Sequence, residues 1–230
     1  MNRQESPNFD DRPANVPVDM LVLHYTGMKS AADALERLCD PAAKVSAHYF
    51  INTNGAVTAL VDEDKRAWHA GVSYWRGHTD INARSIGIEL VNPGHEFGCV
   101  TFPEKQMAAL IKLAKGILKR HAIEARNVVG HSDVAPQRKM DPGELFDWQR
   151  LAAAGIGLWF DVMGTDTIEP ASDADLAKTE EWLSTYGYET TNIPATLTAF
   201  QRHFRTDPLH GLADTDTVSR LKKLLGLVAE

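Results

Sequence analysis

The chain has 230 residues, with 24 Lys or Arg against 31 Asp or Glu, so its formal net charge is −7. Hydrophobic residues make up 43% and charged residues 24% of it, a composition typical of globular proteins that excludes collagen-like and disordered chains. Residues 166–230 carry 11 acidic and 6 basic side chains, and neither part of the chain has the basic excess of a phosphate-backbone binder. We therefore expect no nucleic-acid partner.

The first twenty residues are polar and contain three prolines, so they lack the apolar segment of a secretory signal. No run approaches the roughly 20 apolar residues of a membrane span. We therefore expect a cytoplasmic protein, with an unrecognised route to the periplasm or cell envelope as the alternative. The two cysteines, Cys39 and Cys99, lack the spacing of a metal or redox motif and predict reduced thiols.

Short apolar runs bounded by Gly, Asn and Pro predict strands in the first half of the chain. The predicted strands are residues 20–25, 48–51, 56–60 and 85–91. Between the second and third of them, Asn54-Gly55 favours a hairpin turn. A helix is predicted over residues 30–39, before Pro41.

A long helix is predicted after residue 100, where Thr101 and Glu104 have the spacing of a capping box and Pro103 lies in the first turn. Apolar residues then recur at helical spacing and predict one buried face: Met107, Leu110, Ile111, Ala114, Ile117 and Leu118. Residues 127–131 predict a short strand that runs into a loop, and residues 145–153 a last helix. The mixture indicates an α/β (α+β) domain with a central mixed β-sheet flanked by helices.

The last part of the chain has no strand pattern. Residues 161–172 are polar and predict a linker. Three short amphipathic helices are predicted after it, over residues 173–185, 193–205 and 214–226. We therefore expect a small C-terminal three-helix domain.

A candidate metal site consists of His24, His131 and Asp141. Two imidazoles and one carboxylate, with a fourth position left open, are typical of a catalytic zinc site. His24 ends a predicted strand, whereas His131 and Asp141 lie ten residues apart in one predicted loop. From the residues alone, a histidine in a strand is more often a satisfied core residue, so both interpretations stay open.

Glu89 lies inside the apolar run IGIELV, where a carboxylate loses hydration unless it is paired or used. A desolvated glutamate has a raised pKa, which suits a general base toward water. The alternative is a salt-bridged core residue. Lys139, two residues before Asp141, would place an ammonium group beside a developing oxyanion, and its alternative is a solvated surface lysine.

Five motifs follow one another over roughly residues 17–160: LVLHYTG, SAHYFI, AWHAG, SIGIELVN and GHSDVAPQRKMDPG. With them the sequence resembles the bacterial zinc-dependent N-acetylmuramoyl-L-alanine amidases of the type 2 family, which share the fold of bacteriophage T7 lysozyme and the peptidoglycan recognition proteins. The resemblance implies one zinc ion per chain. It also implies hydrolysis of the amide between the lactyl group of N-acetylmuramic acid, or its 1,6-anhydro form, and L-alanine of the stem peptide. The implied partners are peptidoglycan fragments or anhydro-muropeptides.

The resemblance also implies roles for single residues. His24, His131 and Asp141 match the metal ligands, Glu89 the catalytic glutamate and Lys139 the lysine that assists the transition state. The implied substrate-groove residues are His48, Trp68, His69, Asn82 and Asn92. His48 stands where some relatives carry a catalytic tyrosine.

Residues 172–230 contain an AFQ…F and a G-x-x-D-x-x-T signature and resemble the three-helix peptidoglycan-binding domain. The alternative is a helical appendage that packs against the enzyme. The expected organisation is a catalytic domain over 1–163 with an extended lead over 1–16, a linker over 164–171 and the helical domain over 172–230. We expect a monomer.

Three other functions stay open. One is a non-catalytic muropeptide-binding protein on the same fold. Another is a glycosidase that uses Glu89 and Asp141 as its carboxylate pair. The third is a zinc peptidase that cuts within the stem peptide, although the chain contains no HExxH motif. Without an export signal we expect recycled anhydro-muropeptides as substrate, whereas the C-terminal resemblance favours polymeric peptidoglycan.

Overall fold

The computed structural model of the chain describes residues 1–160, 169–205 and 207–228. Its strands are β1 (Asn2–Arg3), β2 (Phe9–Asp11), β3 (Met20–Tyr25), β4 (Tyr49–Ile51), β5 (Val57–Ala59), β6 (Lys65–Ala67), β7 (Ser85–Leu90) and β8 (Val128–Gly130). Within the described ranges, six strands form a mixed sheet in the order β1-β5-β4-β7-β3-β8, and β2 pairs with β6 in a separate antiparallel ribbon. The central mixed sheet is therefore confirmed.

Helices lie on both faces of this sheet. They are α1 (Ala31–Cys39), α2 (Ile81–Arg84), α3 (Gly94–Phe97), α4 (Glu104–Arg120), α5 (His131–Val134), α6 (Trp148–Ala153), α7 (Asp173–Tyr186), α8 (Ile193–Phe204) and α9 (Thr215–Val228). The three helices predicted at the C-terminal end lie within a few residues of α7, α8 and α9. The predicted linker falls largely on residues 161–168, which lie outside the described residues.

Alternation along β3 and β7 separates the two layers, because successive side chains of a strand point to opposite faces. On one face, Leu23 and Ile88 share an apolar core with Leu110 of α4. On the other face, Met20 shares a core with Phe200 of α8. The C-terminal helices therefore share one apolar core with this face of the sheet.

The predicted strand over 20–25 and the predicted hairpin are confirmed. β4 and β5 pair antiparallel, and Gly55 in the turn has a φ of +84°. A Cβ at that position would lie 2.6 Å from the Lys105 carbonyl oxygen of α4. Glycine is therefore required there by both conformation and space.

The predicted capping box at Thr101 is wrong. Helix α4 begins at Glu104, with Pro103 in the N-cap position and without a side-chain cap. The backbone of Pro103 is extended, with a ψ of 148°, so the helix starts after it rather than around it. The Glu104 carboxylate instead accepts a hydrogen bond from Arg150 of α6, at 2.6 Å.

The segment after β8 also differs from the prediction, which placed a loop at His131. One helical turn, α5, begins at this residue. The cause is Asp133, whose carboxylate accepts a hydrogen bond from the Gly130 amide at 2.7 Å. An acceptor at this position satisfies one of the free amides with which every helix begins.

The N-terminal lead is part of both sheets. β1 pairs in parallel with β5, and β2 pairs with β6. Arg12 follows β2, and its guanidinium donates to the carbonyl oxygens of Ala83 and Ser85 at 2.7 and 2.8 Å. The lead therefore stabilises the segment in which β7 begins.

The signature of the C-terminal helices has a structural explanation. Gln201 of α8 accepts hydrogen bonds from the amides of His210 and Gly211, at 3.1 and 3.0 Å, and donates to Thr217 Oγ1 at 3.0 Å. Asp214 caps α9 by accepting from the Thr217 amide at 2.8 Å. These signature residues hold the connection between α8 and α9 together.

Among the described helices, none combines the length and the apolar character that crossing a bilayer requires. Cys39 and Cys99 are both free cysteines in the structure.

Candidate active site

The three candidate ligands meet at one edge of the central sheet. β3 and β8 run parallel and side by side, so His24 near the end of β3 lies next to His131, which follows β8. A backbone hydrogen bond from Ser132 to the Asp141 carbonyl, 2.9 Å long, closes the segment that carries the third ligand. All three side chains are buried, with exposed fractions of 1%, 3% and 6%.

Three side-chain atoms of this group form a nearly equilateral triangle. His24 Nδ1 lies 2.9 Å from His131 Nδ1, and both nitrogens lie 3.0 Å from Asp141 Oδ2. Among the described residues, these three side chains bring their donor atoms close enough together to hold a metal ion. Imidazole nitrogen and carboxylate oxygen are the donors that zinc binds in catalytic sites.

Hydrogen bonds outside the triangle determine which nitrogen of His24 carries the proton. The Ser85 hydroxyl donates to the Ile81 carbonyl at 2.6 Å, so its oxygen accepts from His69 Nε2 at 3.2 Å. His69 Nδ1 must then accept from His24 Nε2, which is 3.1 Å away. His24 Nδ1 is left with a free lone pair that points into the triangle.

His131 is oriented in the same way, because its Nε2 donates to the Ala70 carbonyl at 3.0 Å. Its Nδ1 therefore also presents a lone pair. Burial, followed by the neighbouring His131, lowers the pKa of His24 to about 4, so that ring is neutral near pH 7. Three acceptor atoms within 3.0 Å of one another, with no hydrogen between them, fit a bound cation.

Gly87 makes room for the His69 ring. A Cβ at this position of β7 would lie 2.5 Å from Cγ of His69, closer than any real contact. His69 is itself buried, with its ring T-shaped against His24 at 5.1 Å. Outer partners of this kind set the tautomer and the direction of a ligating histidine.

We expect Gly87→Ala to weaken the binding of a metal ion at the triangle, with Zn²⁺ as the probe, by about 10–100-fold, the range typical for loss of an outer partner. The added methyl group would displace His69 and break its hydrogen bond to His24. Zinc affinity is measured by competition with a chelator. Gly116→Ala in α4 is the control, because the nearest atom to its Cβ is the Arg120 side-chain end at 3.3 Å. Parent-like zinc affinity in Gly87→Ala would contradict the role of His69 as a positioning residue.

Glu89 lies beside the triangle, since it pairs with His24 in the register of β7 and β3. Its Oε2 is buried and has no hydrogen-bond partner among the described residues. Burial, and then the charge of Asp141, raise the pKa of Glu89 well above its usual value, whereas Lys139 lowers it. A buried carboxyl with a free oxygen and a raised pKa is suited to proton transfer.

An open cavity of about 660 Å³ lies over this group, within the usual size of ligand sites. Its walls combine cationic, aromatic and apolar side chains: Arg37, Leu38, Trp68, Phe97, Lys139 and Met140. Glu89, His131 and Asp141 also reach its surface. The cavity therefore offers both a reactive centre and room for an extended ligand.

Of the five expected groove residues, Trp68 and His69 line this cavity, whereas the described walls do not include His48, Asn82 and Asn92. His48 is fully buried, and its Nδ1 accepts from the Gly87 amide at 2.9 Å. Burial lowers its pKa to about 3, so the ring is a neutral part of the sheet.

The two asparagines hold backbone segments around the site. Asn82 Oδ1 accepts from the amides of His69 and Ala70, at 3.1 and 2.8 Å. Asn92 donates to the Val100 carbonyl at 2.7 Å and accepts from the Gly94 amide at 3.0 Å. Asn82 therefore places both the ring and the carbonyl group that orient the two histidines.

Sequence reasoning missed His95, which also lines the cavity. The Tyr25 hydroxyl lies 2.9 Å from His95 Nδ1, and Glu144 lies 3.0 Å from the other ring nitrogen. Burial raises the pKa of Tyr25 to about 12, so this hydroxyl stays a donor. No local pattern distinguishes His95. Gly87 did offer a signal for the approach of the His69 ring, because an isolated glycine in a strand often marks a close approach.

Two histidines, an aspartate and a glutamate that converge beneath an open cleft form the type of site that metal-dependent hydrolases use. The chain belongs to the N-acetylmuramoyl-L-alanine amidase family, because the family model of that description matches residues 14–144. The expected family, its mixed fold and its amidase activity are confirmed.

Named relatives agree with this assignment. The N-acetylmuramoyl-L-alanine amidase AmiD of Escherichia coli (strain K12) is 39% identical in an alignment 230 positions long, which covers 90% of this chain and 82% of AmiD. The 1,6-anhydro-N-acetylmuramyl-L-alanine amidase AmpD of Haemophilus influenzae is 35% identical in an alignment 168 positions long, which covers 65% of this chain and 89% of AmpD.

A solved structure resembles the whole chain. The complex of Escherichia coli AmiD with the substrate anhydro-N-acetylmuramic acid-L-Ala-D-gamma-Glu-L-Lys has a TM-score of 0.82 at 36% identity. The match covers 96% of this chain and 98% of that one.

Proposed function

We propose that the chain hydrolyses the amide between the lactyl group of N-acetylmuramic acid, preferably in its 1,6-anhydro form, and L-alanine of the stem peptide. We further propose that one zinc ion is held by His24, His131 and Asp141. The observation that carries this proposal is the triangle of three acceptor atoms beside the unpartnered carboxyl of Glu89. The substrate named for the AmiD complex and the name of AmpD support the anhydro form.

Zinc in such a site supplies Lewis acidity and lowers the pKa of water to about 7. As a carboxylate, Glu89 takes the proton of the attacking water. Once protonated, it passes this proton to the leaving amine. Its free Oε2 and its place next to His24 suit both tasks. Lys139 lines the same cavity, and its ammonium group stabilises the oxyanion that develops on the lactyl carbonyl.

The groove residues divide by position. We propose that Trp68 contacts the muropeptide directly, because it is half-buried in the cavity wall. His69 acts on the metal site through His24, and Asn82 acts through His69. His48 and Asn92 support the walls from behind.

We also propose that residues 1–163 are the catalytic unit and residues 172–230 a helical unit with affinity for peptidoglycan. AmpD aligns with 65% of this chain and over 89% of its own length, which supports a catalytic unit shorter than the whole chain. A cytoplasmic location and a monomeric state stay predictions, and cell fractionation and size-exclusion chromatography measure them.

The reaction is tested with a purified anhydro-muropeptide and mass analysis of the products. We expect anhydro-N-acetylmuramic acid and the intact stem peptide, loss of turnover on chelation, and recovery with added zinc. Cleaved sugar linkages with chelator-resistant activity would instead indicate the glycosidase, and a shortened stem peptide would indicate the peptidase. Binding without turnover would indicate the non-catalytic muropeptide-binding protein.

Preference for the anhydro form is tested by comparing turnover of this fragment with release of peptide from whole sacculi. We expect faster cleavage of the fragment per bond present. Preferential release from sacculi would overturn this part of the proposal and would favour the polymer.

A further inference from the structure

Asp133 connects the proposed metal site to the C-terminal helices. It lies in α5, two residues after His131, and its exposed fraction is 0%. Its carboxylate accepts hydrogen bonds from the Gly130 amide, from the Tyr188 hydroxyl and from His203 Nδ1, each 2.7 Å long. A buried carboxylate requires such partners, because burial without them is strongly unfavourable.

Two of these three donors come from the C-terminal part of the chain. Tyr188 follows α7 and is buried, with its ring T-shaped against Trp75 at 5.0 Å. His203 near the end of α8 is stacked on Trp148 of α6, with ring centroids 3.7 Å apart and planes at 18°. Both donors are therefore held rigidly against the segment that carries His131.

The neighbouring residue of α8 reaches the other end of the same segment. Arg202 lies 3.5 Å from the Glu144 carboxylate, three residues after Asp141. Arg202 and His203 are consecutive in α8. They thus contact the chain close to both proposed ligands, because Asp133 lies two residues after His131 and Glu144 three residues after Asp141. A role limited to glycan binding does not explain these contacts, since they face the catalytic unit and are buried.

We propose that Tyr188 and His203 are positioning residues of the metal site, which hold Asp133 and thereby fix α5 with His131 at its first position. This inference rests on the proposed zinc site. The C-terminal helices then contribute to the geometry of the ligands, whatever they bind on their outer surface.

The test uses the full-length chain with Tyr188→Phe, and Tyr186→Phe as its matched control. Both tyrosines are buried, with exposed fractions of 1% and 2%, but of the two only Tyr188 is described as donating a hydrogen bond to Asp133. A second pair is His203→Leu, which removes the donor, and His203→Asn, which retains an N–H near the position of Nδ1. Zinc affinity is measured by chelator competition, and ligand geometry by the visible spectrum of the Co²⁺-loaded protein.

We expect Tyr188→Phe and His203→Leu to bind zinc about 10–100-fold more weakly and to alter the Co²⁺ spectrum. Tyr186→Phe should match the parent, and His203→Asn should recover most of the affinity. If His203→Leu fails to fold, Tyr188→Phe decides alone. Parent-like affinity and spectrum in Tyr188→Phe would overturn the inference, whereas a parent chain that binds no zinc would overturn the proposed metal site as well.

Discussion

Glu89→Gln is expected to lower kcat by about 10²–10⁴-fold, the usual contribution of a general acid–base, while zinc stays bound. The amide has nearly the shape of the carboxyl group but cannot accept the proton of water. Oε2 of Glu89 has no partner among the described residues, so we expect the variant to unfold at the same or a higher temperature than the parent. Turnover of anhydro-muropeptide, zinc affinity and thermal unfolding are measured together.

Glu104→Gln is the control for this substitution, because its carboxylate makes an ion pair with Arg150 at the protein surface and lies outside the cavity walls. We expect it to retain parent-like turnover. Loss of zinc from Glu89→Gln would make Glu89 a ligand rather than a base. Unchanged turnover would remove it from the mechanism.

Lys139→Ala is expected to lower kcat by about 10²–10³-fold, which is typical for the loss of one group that stabilises an oxyanion. Zinc affinity should change little, because the three ligand side chains keep their contacts. KM should also change less than kcat, since the ammonium group acts mainly on the transition state. Steady-state kinetics separates the two parameters.

Lys112→Ala on the exposed side of α4 is the control for charge alone and should behave as the parent. If KM of Lys139→Ala rose by the factor expected for kcat while kcat stayed unchanged, Lys139 would bind the substrate instead. Full activity of the alanine variant would contradict any role in turnover.

The central part of the fold was predictable because burial there follows simple patterns. The apolar run of β3 and the Asn-Gly turn of the hairpin have local signals that the tertiary structure preserves. β6 has the sequence Lys65-Arg66-Ala67, which contains no apolar alternation. Its strand conformation depends on pairing with β2 of the N-terminal lead, and pairing of this kind leaves no mark on a single segment.

Some residues of the candidate site could be assigned a role from the sequence, whereas others could not. Residue type and position at the end of a strand, or directly after it, identified His24 and His131 as candidates for ligands. Nothing in the sequence distinguishes the ring of His69, which donates to Ser85, from that of His48, whose Nδ1 accepts from the Gly87 amide. That difference depends on partners far away along the chain, so it requires the folded structure.

The parallel register of the central strands determines which changes of length the chain tolerates. Glu89 and His24 are direct partners across β7 and β3, and His131 comes one residue after Gly130, the partner of Leu23. Because side chains alternate, deletion of one residue within β7 before Glu89 would turn its carboxyl toward the α4 face. Insertions and deletions in evolutionary or engineered variants should therefore be confined to the connections, while these strands vary by substitution alone.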